Sequence, residues 1–140
     1  MKFRALEPGD VKTIMVQEKQ GHALLYLDDD YEKDLLQSAY TVVGEHDGEI
    51  MVIFGVTEMW QGRAQAWALL SRQAGKHLKA ITVRARSLLD AAPFRRIEAQ
   101  CDFNFPQADR WLKMLGFQFE GVAEKFNPDG SSAKLWARLK

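Results

Sequence analysis

The sequence holds a single cysteine, Cys101, which rules out an internal disulfide and a multi-thiolate metal site. One thiol fits a reducing cytoplasm. There is no excess of either charge. Lys plus Arg and Asp plus Glu number 19 each, so no global basic field draws nucleic acid, and none is expected as a partner. Long apolar runs are missing too. The longest, IMVIFGV at 50–56, falls well short of the ~20 residues a membrane helix needs. The opening MKFRALEPGD lacks the apolar core of a signal peptide. His22, His46 and His77 are too scattered for zinc-ligand spacing. The acidic run Asp28, Asp29, Asp30, Glu32 and Asp34 lacks the alternation and glycine of a calcium loop. A helix start, where the dipole favours carboxylates, explains it better. No metal and no membrane contact are expected. What remains is a soluble cytoplasmic domain: 140 residues with 46% hydrophobic content suit one packed domain over 1–140.

The patterns that are present order the chain. FRALE (3–7) reads as a short strand, and Asp10 is placed to cap a helix over about 11–26. A second helix is expected over 28–39. YTVVGEH (40–46) and EIMVIFGV (49–56) flank Asp47-Gly48, a strong hairpin signal because that pair accepts positive φ. A further strand is expected over 63–71. The spacing of Leu78, Ile81, Ala85, Leu88, Leu89 and Ala92 predicts a helix over 76–92. RRIEAQCDF (95–103) alternates as a central strand, with Ile97, Ala99 and Cys101 on one side. Ala108, Trp111, Leu112 and Leu115 mark a helix that Gly116 ends. A hairpin through NPDG follows. The order β-αα-βββ-α-β-α-ββ predicts a mixed α/β sheet with helices on its faces.

One stretch invites a chemical reading. SRQAGKHLKAI (71–81) passes from strand through a short loop with one glycine into a helix, a layout that holds phosphate in many proteins. On that reading the helix N-terminus, Arg72 and Lys76 hold a diphosphate. The competing reading is an ordinary helix start with solvated cations. Glu58, Glu98 and Asp102 are the candidate bases; each also reads as a rim carboxylate. Glu98 and Asp102 share one face of their strand, opposite Cys101. Cys101 reads as a buried small hydrophobe, and Trp111 lies on the packed face of its helix.

The element order, and FPQADRWLKMLGFQFEGV in particular, resembles the GCN5-related N-acetyltransferases, the GNAT family. Ala108, Gly116, Phe117, Glu120 and Gly121 fall on that family's template, NPDG falls at its hairpin turn, and EHDGEIMVIFGV looks like its second hairpin. The resemblance covers nearly the whole chain. It implies a twisted, mostly antiparallel sheet of six to seven strands with about four helices. It further implies acetyl-CoA as cosubstrate and an amine-bearing small molecule or protein as acceptor, with direct transfer to a primary amine. Many relatives form homodimers. By the same resemblance, Leu69, Leu70, Arg72, Gly75, Lys76, His77, Asn104 and Trp111 would contact the cofactor.

The sequence departs from the family pattern at named places. His77 stands where the phosphate loop has its second small residue, and Leu112 where a proton-donating tyrosine is usual. Phe105 replaces an asparagine, with Asn104 one residue early. A weaker likeness, confined to the last third and its WLKMLGF, is to acetyltransferase-like internal virion proteins of short-tailed phages. It implies the alternative of a catalytically silent, virion-associated protein with a structural or binding role.

Overall fold

The structure, a computed structural model, describes residues 1–14 and 40–140. Strand β1 (Lys2–Arg4) leads through a turn into helix α1 (Asp10–Thr13). The rest of the helix expected over 11–26, and the one over 28–39 with its acidic run, lie outside the described residues. Asp10 does not cap as anticipated. Gly9 holds the N-cap position, and the Asp10 carboxylate faces backward. It accepts Arg4 Nη1–H at 2.8 Å, Arg4 Nη2–H at 3.0 Å and the Glu7 N–H at 2.8 Å.

β2 (Tyr40–His46) and β3 (Glu49–Trp60) form the expected hairpin, with Asp47 and Gly48 at φ 51° and 80°. Positive φ at both central residues gives the turn whose twist matches paired strands. β3 runs past Val56 to Trp60, because β4 (Arg63–Leu70) pairs with it as far as Trp60↔Arg63. Glu58 therefore sits inside a strand, opposite Ala64, and not beyond its end as anticipated. A 3-10 turn (Ala74–His77) precedes α2 (Leu78–Ala91), which starts two residues later than its periodicity predicts. Then follow β5 (Arg96–Asp102), α3 (Pro106–Met114), β6 (Gln118–Ala123) and β7 (Ala133–Leu139).

The seven strands make one sheet in the order β1-β2-β3-β4-β5-β7-β6. Every neighbouring pair is antiparallel except β4 with β5. This is the mixed sheet that the element order predicts, with the mostly antiparallel pairing that the resemblance implies. Alternation along β3 covers both faces. Val52, Phe54 and Val56 join a core with Ile81, Ala85 and Leu89 of α2, while Ile53 joins Val11, Val43 and Leu69 on the other side. No helix among the described residues is long and apolar enough to cross a membrane.

The one parallel pair is short. β4 and β5 are in register at Arg63↔Arg96, Ala64↔Ile97 and Gln65↔Glu98, after which β4 continues to Leu70 and β5 to Asp102 as separate edges. The sheet splits there. On its other side β4 stays tight against β3: Trp67 pairs with Gly55, and its indole N–H donates to Thr57 Oγ1 at 3.0 Å. A Cβ on Gly55 would lie 2.6 Å from the Tyr40 carbonyl oxygen and 2.8 Å from Trp67 Cζ2. Gly55→Ala is expected to destabilise the fold by about 1–3 kcal/mol through overpacking. Urea denaturation reads this as a lower midpoint; an unchanged midpoint would mean that β3 has room to move.

Candidate functional site

Where β4 and β5 part, a cavity of about 670 Å³ opens, within the size range of small-molecule and cofactor sites. β4 lines it from Gln65 to Leu70 and β5 from Ala99 to Asp102. Gly75 of the 3-10 turn and Trp111 and Leu112 of α3 add to the wall. Trp111 is fixed by its indole N–H, which donates to Thr82 Oγ1 at 2.9 Å and so ties α3 to α2. Leu112 is buried and presents an aliphatic surface to the cavity.

Two glutamines stand where the backbone pairing stops. Gln65 Nε2 donates to Gln100 Oε1 at 2.7 Å, and Gln100 Nε2 donates back to Gln65 Oε1 at 3.0 Å. This reciprocal amide pair continues, across the split, the hydrogen bonding that the two backbones have given up. Sequence reasoning missed it. A glutamine on a strand carries no mark of a partner 35 residues away.

The loop after β4 is wound by Ser71, also missed, whose only sequence signal is a serine at a strand end. The Ser71 N–H donates to Met51 O at 2.9 Å, its Oγ accepts the Gln73 N–H at 3.2 Å, and its carbonyl accepts the Ala74 N–H at 3.1 Å. Gly75 lies on the cavity wall, and a Cβ built there meets nothing within 4 Å. No contact among the described residues requires a glycine at this point. Arg72 and Lys76 are exposed on the same loop. His77 turns away from the cavity wall, its ring centroid 4.5 Å from that of His46 at the β2–β3 hairpin. Leu69 and Leu70 line the cavity; Asn104 is exposed beside it, and Phe105 lines it instead.

The three candidate bases separate. Asp102 lines the cavity and accepts Asn127 Nδ2–H at 3.0 Å. Glu58 is exposed and outside the wall. Glu98 is also outside it, gripped by two arginines. Arg63 Nη2 donates to it at 2.8 Å, Arg63 Nε bonds it as well, and Arg96 Nε donates at 2.8 Å. Arg96 then bonds Glu120 on β6, and Arg63 stacks 4.3 Å over the Trp60 ring. The Arg63 hydrogen bonds, reinforced by Arg96, hold the Glu98 carboxyl down at about 2 against the cost of burial. A carboxylate so held accepts a proton poorly at neutral pH. Glu98 pins β4 to β5 at the last paired position. Cys101, expected to be enclosed, is half-buried and forms part of the cavity wall.

No protein-family model and no curated protein matches the sequence. Solved structures share its fold. Ard1 from Thermoplasma volcanium superposes with a TM-score of 0.80 at 15% identity, over 99% of this chain and 96% of that one. YncA from Salmonella typhimurium, solved with its cofactor acetyl-CoA, gives 0.73 at 14%, over 99% and 92%. A mutant of spermidine N-acetyltransferase SpeG from Vibrio cholerae gives 0.67 at 18%, over 99% and 95%. Acetyltransferases of the GNAT family are among these neighbours. The chain has the GNAT fold.

The Glu98 clamp has an acid signature. Its folded pKa of about 2 lies below the ordinary 4.5, so its stabilisation is complete above about 4.5 and is lost as pH falls through about 2. Glu98→Gln is expected to cost about 2 kcal/mol at neutral pH through the lost charge-assisted hydrogen bonds. Chemical denaturation across that acid window should show wild type and variant converging. Parallel curves would mean that the clamp contributes nothing to stability.

Proposed function

We propose that the protein is an N-acetyltransferase that moves the acetyl group of acetyl-CoA directly to a primary amine. The observation that carries this reading is the split sheet: a parallel pair that parts after three positions, with a cavity of about 670 Å³ in the gap. Fold neighbours that include an N-acetyltransferase and a protein solved with acetyl-CoA support it. The acceptor is an amine-bearing small molecule or protein, and the reaction is a cytoplasmic one.

The residues present suit the cofactor. Gly75 leaves its Cβ position open at the wall, so a diphosphate can come close to the backbone, with Arg72 and Lys76 supplying charge. His77 borders the same loop from the hairpin side. Leu69 and Leu70 of β4 and Trp111 of α3 line the cavity and would contact the acetyl-bearing arm. When bound, acetyl-CoA supplies an activated thioester. The chain must orient that thioester and take a proton from the attacking amine. Asp102 is the base we assign, since it alone of Glu58, Glu98 and Asp102 lines the cavity. Asn127 holds one of its carboxylate oxygens in place.

Leu112 favours one second reading. An aliphatic wall where a proton donor is usual suits a protein that binds without transferring. The likeness to phage internal virion proteins points the same way but rests on the last third of the sequence.

Acetyl-CoA at about 100 times its Kd should stabilise the protein by about 2.7 kcal/mol, a rise of several degrees in Tm. No rise at millimolar acetyl-CoA sinks the enzyme reading. Lys76→Glu should weaken the binding, and unchanged affinity would remove the loop from the site. Asp102→Asn should lower kcat by about 10²-fold with acetyl-CoA affinity retained. A panel of primary amines, spermidine and a peptide with a free N-terminus among them, supplies the acceptors. Binding without turnover of any of these would favour the silent protein.

A further inference from the structure

The cavity wall carries two titratable side chains among the described residues, Cys101 and Asp102. They are adjacent on β5 and so project from opposite faces of the sheet. Asp102 is assigned above as the base. Cys101 is left without a role, and its surroundings are unusual for a packing residue.

Directly across from it on β7 stands Lys134, and Asp109 of α3 lies between them. The Cys101 thiol donates to Asp109 Oδ1 at 3.5 Å, and Lys134 Nζ donates to Asp109 Oδ2 at 2.7 Å. Trp136 pairs with Ala99, one step along the same face as Cys101. Trp136 is only 3% exposed, and among the described residues its indole N–H meets no well-formed hydrogen-bond partner. A buried donor left so is costly, and a native site that tolerates one has a reason for it. The Trp136 indole stands close enough to Cys101 to ease ionisation of the thiol, as does the Lys134 ammonium. An indole and an ammonium that both favour the charged sulfur suit a thiolate that exists for part of a cycle.

We propose that Cys101 is the proton donor to the departing CoA sulfur, on the wall where Leu112 leaves the usual donor missing. The proposal rests on the transfer reading above. Asp102 takes the proton that the amine nitrogen gives up as its bond to the acetyl carbon forms. Cys101 gives its own proton to the sulfur whose bond to that carbon breaks. The Cys101 thiolate then stands close to the Trp136 indole and the Lys134 ammonium until it regains a proton from water, and Asp102 returns one to water. One acetyl group moves and no net proton is consumed.

Burial first, and Asp109 beside it, push the resting thiol up to about 11, against the opposing pull of Trp136 and Lys134. The group is therefore protonated and available to donate at neutral pH. It is not a nucleophile there, which sets this role apart from a covalent acetyl-cysteine route.

Cys101 is the sole cysteine, so its alkylation by iodoacetamide reads this site alone. In the protein without ligand, alkylation should be slow at neutral pH and rise toward about 11. Asp109→Asn should move that rise to lower pH, because Asp109 disfavours the thiolate. Saturating CoA should protect Cys101. With acetyl-CoA and an accepted amine, Cys101→Ala should lose about 10²-fold in kcat while keeping its acetyl-CoA affinity. Cys101→Ser, of similar size but a weaker acid, should be slow too, which a packing role would not produce. CoA that raises Tm but leaves alkylation unchanged overturns the proposal and leaves the transfer reading standing, as does Cys101→Ala with wild-type kcat. Failure of acetyl-CoA to bind wild type overturns both.

Discussion

The molecule depends on a hydrogen-bond ladder that stops. β4 and β5 pair with each other at three positions and then diverge, which leaves two strands in the middle of a sheet no longer paired to one another. Unpaired backbone edges are costly when buried, and a sheet that opens at its centre needs reasons to stay open. Each half is anchored elsewhere. β4 is paired along its length with β3, and β5 with β7, so the two halves behave as separate antiparallel ribbons joined at a short seam. The Arg63–Glu98–Arg96–Glu120 chain fastens that seam at its last rung, and the Gln65–Gln100 amides bridge the first step beyond it. Past that step the two strands face a cavity.

The same geometry sorts the chemistry on β5. Alternation sends Ile97, Ala99 and Cys101 toward the helices and Glu98, Gln100 and Asp102 to the other face. One strand thus offers groups to both sides of the split, and position along it decides their use. Glu98, beside the seam, is consumed in holding the strands together. Asp102, four residues on and past the parting, meets the cavity. Identical side-chain chemistry serves structure at one end of the strand and the site at the other.

This explains what the sequence could and could not reveal. Local patterns were legible: Asp47-Gly48 announced its hairpin, and the spacings from Leu78 and from Ala108 announced two helices. The face shared by Glu98 and Asp102 was legible as well, since it follows from alternation alone. Their different fates were not, because Arg63 lies 35 residues from Glu98 in sequence and becomes its neighbour only through the short parallel seam. β3 ran past its apolar core for a similar reason: Trp60 is kept in the ladder by Arg63 across a tight turn, not by hydrophobic pattern. Glycine and histidine identities in the loop marked its position but not the direction of any side chain.

Direction matters most at His77. Read as a string, a histidine in place of a small residue blocks the close approach of backbone to phosphate. In three dimensions a 3-10 turn, tighter than the helix anticipated there, carries the residue round toward the β2–β3 hairpin, where His46 provides a ring to lie against. Gly75, two residues earlier, lies on the cavity wall with open space at its Cβ position. The histidine thus packs against a ring on a different hairpin and stays out of the cavity wall.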